Sequence, residues 1–207
     1  MDNCSYFPKR IRSSFIFYNR KTTKNQKQMK IILTITLSIL ISNLSIGQEI
    51  PELKLTQNGV EPIVVQVDSL TASETYKNAL NWVQETYKNP NKVLKANITD
   101  KKIRIDGFAT DAWWYKSLGI RNSYNMEYTI EISFKDGRYR FEYIIGQFYI
   151  DGGQKVLYDY RTFFKKNGDV RKSYKDAVPS LELTMNSLSK SFYNYVTGKT
   201  TEKDSDW

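Results

Sequence analysis

The sequence contains no histidine, and its one cysteine is Cys4. The absence of histidine excludes the Ser-His-Asp triad, the usual general base near neutral pH and the commonest transition-metal ligand. Beyond residue 47 there is no thiol, which excludes a disulfide, a cysteine nucleophile and a thiolate metal site in that part. Neither glycine-rich phosphate motif, G-x-x-x-x-G-K-[ST] or G-x-G-x-x-G, occurs. We therefore expect no cofactor and no bound metal.

The formal net charge of +9 is distributed unevenly along the 207 residues. Residues 1–47 hold eight basic side chains and one acidic side chain, whereas residues 48–207 hold 23 basic and 21 acidic side chains. A nearly neutral domain lacks the broad positive field that attracts polyanions. We therefore expect no nucleic-acid partner.

Residues 29–47 have the pattern of a signal peptide. A basic start precedes an apolar run of 11 residues from Ile31 to Ile41, and small residues at 45 and 47 suit cleavage between Gly47 and Gln48. The alternative is an uncleaved membrane anchor, although the run is shorter than the ~20 residues that cross a bilayer. We predict export to the periplasm or the medium, with residues 1–28 either an over-called start or a basic leader. A membrane contact is expected only through an uncleaved leader.

The remaining chain predicts one α+β domain over residues 62–198, between a loose segment at 48–61 and a disordered tail at 199–207. A β-branched strand from residue 63 to 67 precedes a capping box that begins at Thr71 and opens a helix. Two short strands follow at 93–98 and 103–108. A later strand continues from 148 to 164 with a break at Gly152-Gly153, and a second helix spans about 179–196. The order is strand, helix, several strands, helix. Because the helices bracket a run of antiparallel strands, we expect both helices to pack on one face of the sheet.

Residues 124–145 give the clearest pattern. Apolar and polar residues alternate on both sides of Asp136-Gly137, which predicts two half-buried strands joined by a two-residue turn. Such a turn pairs Phe134 with Tyr139 and places Glu131 opposite Glu142. We expect both central turn residues to have positive φ.

Two sets of side chains are candidates for a functional site. Trp113, Trp114 and Tyr115, with Asp111 beside them, are predicted on an irregular aromatic loop over 111–122, where they either cover the core or recognise a partner. The second set consists of carboxylates that could serve a glycan-acting enzyme, or could simply be solvated strand residues: Asp106, Asp111, Glu127, Glu131 and Glu142.

The helix from Tyr76 to Tyr87, the hairpin Phe134-Lys135-Asp136-Gly137-Arg138-Tyr139-Arg140-Phe141 and the last helix resemble a family of exported bacterial proteins. That family is a domain of unknown function with a TATA-box-binding-protein-like fold, and the resemblance is strongest over about 62–150. The resemblance implies one β-α-β-β-β-β-α unit, a single curved antiparallel sheet backed by two helices, and brings no catalytic residues. DNA binding does not follow from the fold name, because function resides in sites rather than in folds.

These observations favour an exported, non-enzymatic binding or accessory module. Its partner is expected to be an envelope protein, a peptide or a glycan. The alternative is a glycan-acting enzyme that uses the carboxylates.

Overall fold

The computed structural model describes residues 50–199. The predicted leader, the signal peptide and the tail from residue 200 onward lie outside these residues and stay predictions. In chain order the elements are β1 (Leu55–Thr56), β2 (Gly59–Val60), β3 (Ile63–Gln66), α1 (Ala72–Thr86), α2 (Pro90–Val93), β4 (Leu94–Ile98), β5 (Lys102–Ser117), β6 (Ile120–Lys135), β7 (Arg138–Tyr149) and α3 (Ala177–Val196).

Strands β3 to β7 form one antiparallel sheet in the order β3-β7-β6-β5-β4. Reading the elements from β3 to α3, with the single turn of α2 set aside, gives β-α-β-β-β-β-α. The predicted α+β class and element order are confirmed. Buried side chains alternate along β6 and β7, as expected for strands with one face on the core.

Helix α1 begins where its capping box predicts. The Thr71 hydroxyl accepts a hydrogen bond from the Glu74 N–H at 3.2 Å, and the Glu74 carboxylate accepts one from the Thr71 N–H at 2.8 Å. Two backbone donors of the first turn are thereby satisfied. The helix ends before Asn89-Pro90, because proline cannot continue the helical hydrogen bonding.

Both long helices cover the same face of the sheet. The Trp82 ring of α1 packs edge-on against the Phe192 ring of α3, with the ring centres 5.2 Å apart. The Phe192 ring also packs against that of Tyr139 in β7, with the centres 4.9 Å apart. The Trp82 indole N–H donates to the Ser191 hydroxyl at 3.1 Å. A continuous aromatic contact therefore joins α1, α3 and the sheet.

The β6–β7 hairpin has the predicted register, with Phe134 opposite Tyr139 and Glu131 opposite Glu142. The predicted turn geometry is wrong, because of its two central residues only Gly137 has a positive φ, at 72°. Contacts with the start of α1 explain the difference. The Asp136 carboxylate accepts a hydrogen bond from the Ala72 N–H at 2.8 Å, and the Gly137 N–H donates to the Leu70 carbonyl at 2.9 Å.

The prediction of a loose segment at 48–61 is wrong for residues 50–61. Leu53 and Leu55 are buried, and β1 and β2 form a small hairpin. The Leu53 N–H donates to the Asn186 side-chain oxygen at 2.8 Å, and the Leu55 N–H donates to the Glu182 carboxylate at 2.9 Å. The segment is therefore fixed to α3 by apolar burial and by two side chains that satisfy its backbone.

The predicted strand over 148–164 is also wrong beyond Tyr149, where β7 ends. Gly152 and Gly153 both have positive φ, which an extended strand does not allow. The loop that follows contains two short 3₁₀ turns, Tyr160–Phe163 and Lys172–Tyr174, before α3 begins.

Candidate functional site

Residues 111–124, which we call the hairpin arm, are mostly regular strand, so the prediction of an irregular loop over 111–122 is wrong. The ends of β5 and β6 pair here, with Trp113 opposite Tyr124 and Lys116 opposite Arg121. Leu118 and Gly119 connect them with φ of 50° and 81°, the two positive values that a type I′ turn requires. A bulge between Ala109 and Trp113 breaks the alternation and hides the strand pattern.

No strand among the described residues lies alongside the arm. β7 pairs with β6 only as far as Asn125, and β4 pairs with β5 only as far as Ile105. The start of α3 takes the place of a neighbouring strand. The Thr184 hydroxyl donates to the Ala112 carbonyl at 2.6 Å, and the Trp114 N–H donates to the Ser180 hydroxyl at 3.0 Å. These bonds fix the base of the arm and leave its tip free.

The inner side of the arm belongs to the core. Trp113 is fully buried, and its ring is stacked on that of Tyr124 with the ring centres 4.2 Å apart. It also packs against the rings of Phe148 and Phe163, whose centres lie 4.9 and 4.8 Å away. Tyr115 is half-buried and packs against Tyr174 at 5.2 Å. Of the two alternatives for the aromatic residues, the core contact is therefore correct for Trp113, and Tyr115 lies on the same side.

The phenols around the inner side are weak acids. Burial is the main cause that raises the pKa of Tyr124, Tyr158 and Tyr174, whereas hydrogen bonding to Tyr124 is the main cause for Tyr115. A raised pKa keeps these phenols protonated at neutral pH. They can donate hydrogen bonds, but they are poor candidates for a general base.

The outer side of the arm carries Asp111, Trp114, Lys116 and Arg121, which we call the outer cluster. The Arg121 guanidinium lies 5.0 Å from the centre of the half-buried Trp114 ring, and the Lys116 ammonium lies 5.9 Å from it. Both distances are within the range of cation–π attraction. Arg121 also donates to the Asp111 carboxylate at 2.8 Å. The cluster therefore combines a flat apolar ring with charges of both signs.

Asp111 occupies the bulge with a φ of 50°, and its N–H donates to the Asn125 side-chain oxygen at 2.9 Å. Hydrogen bonding from Ser123 is the largest cause that lowers the pKa of Asp111, with Arg121 adding to it. The carboxylate is therefore ionised at neutral pH and holds Arg121 in place. It does not have the raised pKa of a catalytic acid.

The four predicted site residues are thus divided between two sides of the arm. Trp114 and Asp111 come together on the outer side, whereas Trp113 and Tyr115 lie on the inner side. Sequence reasoning missed Lys116 and Arg121. Recognition of Leu118-Gly119 as a two-residue turn would have found them, because that turn places 116 opposite 121.

The candidate carboxylates lie on the sheet and are each engaged by a neighbour. Glu131, opposite Glu142, forms an ion pair with Lys102, and Glu142 forms one with Arg140 at 2.9 Å. Glu127 accepts a hydrogen bond from the Tyr149 hydroxyl at 2.7 Å. Asp106 accepts one from the Thr129 hydroxyl, also at 2.7 Å. These contacts are those of an ordinary polar strand face.

Residues 50–199 contain no group of three acidic, histidine or cysteine side chains that could hold a metal ion. None of the helices in this range is long and apolar enough to cross a membrane.

A family model matches part of the chain. Residues 63–144, from β3 into β7, match the family model described as a domain of unknown function (DUF4468) with a TBP-like fold. The resemblance to this family is confirmed. The DUF4468 match ends before the last residues of strand β7 and excludes α3, and its description states no activity.

Two solved structures are similar to the chain. A TBP-like protein from Parabacteroides distasonis has 14% identity and a TM-score of 0.51, over 69% of this chain and 93% of that one. A DUF4468 family protein from Bacteroides ovatus has 14% identity and a TM-score of 0.46, over 72% and 88%. At this identity the first likeness supports the TBP-like fold alone. No curated protein matches the chain.

Proposed function

We propose that this protein is an exported, non-enzymatic binding module that contacts a protein or peptide through the hairpin arm. The observation that carries the proposal is the combination of the outer cluster with a fully exposed leucine at the tip. Leu118 is 100% exposed and Ile120 is 67% exposed, directly beyond Trp114 and Arg121. Tryptophan and arginine are enriched at the energetic centres of protein interfaces. The exposed aliphatic side chains beside them add apolar surface that a partner can bury.

Two features of the arm work against the stability of the free protein. Lys116 and Arg121 are like charges placed directly opposite each other, which is unfavourable in a strand pair. Leu118 has a left-handed backbone conformation that costs an ordinary L-residue about 1–2 kcal/mol. Departures from local sequence rules are expected where function rather than stability determines the residue. Their concentration at the tip supports a role in recognition.

The chemistry of the outer cluster favours a protein or peptide over a glycan. A sugar ring that stacked on Trp114 would compete with the two cations that already lie over the ring. Leu118 and Ile120 offer aliphatic surface, which gains free energy by apolar burial rather than by contact with hydroxyl groups. An acidic and apolar partner surface would complement both parts of the arm.

The arm proposal is tested with the full chain carrying a photoreactive amino acid at position 116. The cross-linked partner is identified and purified, and its affinity is then measured for Trp114→Ala, Leu118→Asp and the control Leu183→Asp. Leu183 is 70% exposed on α3, so the control substitution adds the same negative charge at an exposed position away from the arm. We expect the two arm variants to weaken binding by about tenfold or more, about 1.4 kcal/mol each, with no loss for the control. Equal affinities in all three variants would contradict the proposal.

Export is tested separately by mass spectrometry of the N-terminus of material recovered from the periplasm or the medium. The length of the apolar run and the small residues at 45 and 47 support cleavage before Gln48. We expect a mature chain that begins at Gln48. Recovery of the chain in the cytoplasm with its leader intact would contradict export.

A further inference from the structure

The loop between β7 and α3 carries most of the excess positive charge of the described chain. Residues 50–199 hold 22 basic and 17 acidic side chains, a net charge of +5. Residues 155–176 alone hold seven basic and three acidic side chains, a net charge of +4. A count over the whole domain conceals this concentration, yet the local field depends on where charges lie rather than on their sum.

This loop and the β1–β2 turn form a groove of about 400 Å³, which we call the cationic groove. Its walls contain four basic side chains, two carboxamides and one aromatic ring, and no carboxylate lines it: Arg161, Lys165, Lys166, Arg171, Gln57, Asn58 and Phe164. Such a lining presents many hydrogen-bond donors together with positive charge. It is complementary to an anion with several oxygen atoms.

Hydrogen bonds hold the walls of the cationic groove in place. Arg171 donates through Nε to the Phe164 carbonyl at 2.9 Å and through its backbone N–H to the Phe163 carbonyl at 2.8 Å. The Lys165 N–H donates to the Asp169 carbonyl at 2.7 Å. On the opposite wall, the Asn58 N–H donates to the Thr56 hydroxyl at 3.2 Å. Donors that are fixed before binding lose less entropy when a ligand arrives.

Neighbouring acids neutralise only part of the charge in the cationic groove. Arg161 pairs with Asp159 at 3.1 Å, and Lys165 lies 3.6 Å from Asp169. Lys166 and Arg171 form no ion pair with any residue of the 50–199 range. Two cations are therefore free to bind an anion without first releasing an internal partner.

We propose that the cationic groove binds a sulfated or phosphorylated saccharide. Guanidinium and ammonium groups bind such oxyanions by charge-assisted hydrogen bonds. The side chains of Gln57 and Asn58 can both donate to and accept from sugar hydroxyls. The volume of about 400 Å³ is within the range of small-molecule sites rather than that of an extended polymer channel.

A single-stranded nucleic acid fits the cationic groove less well. Proteins bind such strands by stacking the bases on exposed aromatic rings. Phe164 is the one aromatic residue in the lining, and it is only 6% exposed. The groove shares no lining residue with the outer cluster, so this inference is independent of the proposed role of the hairpin arm.

The test is calorimetric titration of the full chain with sucrose octasulfate, with neutral sucrose and with a single-stranded DNA oligonucleotide. The groove variant is Lys166→Gln/Arg171→Gln, and the matched control is Lys95→Gln/Lys190→Gln, which removes the same charge from exposed positions elsewhere. Because Arg171 also supports the loop, a second variant, Lys166→Glu, leaves the Arg171 hydrogen bonds in place. Circular dichroism confirms that each variant is folded.

We expect saturable binding of sucrose octasulfate and none of sucrose. The groove variant and Lys166→Glu should each weaken that binding by about tenfold or more, and the control pair by less than about twofold. An equal loss in the control pair, or no saturable binding by the unmodified chain, would overturn the proposal. The proposal would also be overturned if DNA bound more tightly than sucrose octasulfate and the groove variant weakened the binding of both to the same extent. That result would assign the groove to nucleic acid.

Discussion

The two long hairpins of the sheet, β6–β7 and the hairpin arm of β5–β6, are built under different constraints. The β6–β7 hairpin has β3 and β5 beside it and both helices over one face, so its inner side chains are buried along most of its length. The arm has no neighbouring strand in the described part of the chain, and α3 supports only its base. One hairpin therefore contributes mainly to stability, and the other presents side chains to solvent.

The turns of the two hairpins show the same difference. The Asp136-Gly137 turn is tied to the start of α1 by hydrogen bonds of 2.8 and 2.9 Å. At the Leu118-Gly119 turn, Leu118 is fully exposed, and a Cβ added to Gly119 would meet nothing within 4 Å. Tertiary contacts thus determine the geometry of the first turn. The second turn has only its own backbone preferences, which the leucine opposes.

The largest difference is expected between the two adjacent tryptophans of the arm. Trp113→Ala should lower the free energy of unfolding by about 3–5 kcal/mol, because a buried ring leaves a cavity. Trp114→Ala should lower it by only about 1 kcal/mol, the size of a cation–π contact, because the half-buried ring lies on the outer side of the arm and not in the core. Urea unfolding of the full chain followed by circular dichroism measures both. Similar losses for the two variants would show that the arm does not have a core side and a solvent side.

Two neighbouring buried phenols of the packed hairpin differ in their hydrogen bonding. The Tyr143 hydroxyl has no hydrogen-bond partner among the described residues, whereas the neighbouring Tyr128 hydroxyl bonds to that of Tyr87 at 3.1 Å. Tyr143→Phe should therefore raise the free energy of unfolding by about 1–3 kcal/mol, because an unsatisfied buried polar group is costly. Tyr128→Phe is the matched control and should lower it by about 1 kcal/mol. Loss of stability in both would mean that Tyr143 has a partner, such as a bound water.

A third prediction compares the turns. Leu118→Asn should raise the free energy of unfolding by about 1 kcal/mol, because asparagine tolerates the left-handed conformation that leucine resists. Asp136→Ala should lower it by about 1 kcal/mol, since the Ala72 N–H at the start of α1 loses its acceptor. Thermal unfolding of both variants gives the answer. A destabilising Leu118→Asn would show that the exposed leucine has an unrecognised packing role.

The β6–β7 hairpin could be predicted from the sequence because local and global signals agree there. Its apolar residues alternate without interruption, and Asp136-Gly137 marks the turn, so even the pairing of Glu131 with Glu142 follows from counting. The capping box at Thr71 is a signal of the same kind. The geometry of Asp136 itself could not be predicted, because it depends on Ala72, which is 64 residues away in the chain.

The candidate site was only partly predictable, and the arm shows why. The bulge before Trp113 interrupts the alternation that identifies a strand, and leucine is an unusual first residue for a turn with positive φ. The pattern could not show which of Trp113 and Trp114 faces the core. A shift of one residue in the strand register exchanges the core-facing and solvent-facing positions. The cationic groove could not be predicted for another reason. Its lining comes from residues 57–58 and 161–171, which are about a hundred positions apart in the sequence and meet only in the folded chain.

The smallest expected effect concerns alkaline pH and the tyrosines of the two hairpins. Burial raises the pKa of Tyr143 well above the usual value of about 10, whereas hydrogen bonding to Tyr124 is the main cause for the partly exposed Tyr115. Folding favours the protonated phenols, so their contribution to stability is complete below pH ~10 and is lost as the pH rises toward the folded pKa. We expect Tyr115 to ionise in the folded protein, and Tyr143 only on unfolding. The ¹³Cζ chemical shift of each tyrosine measures this, with Tyr115→Phe and Tyr143→Phe assigning the signals. Ionisation of Tyr143 in the folded state, together with that of Tyr115, would show that the packed hairpin is as open to solvent as the arm.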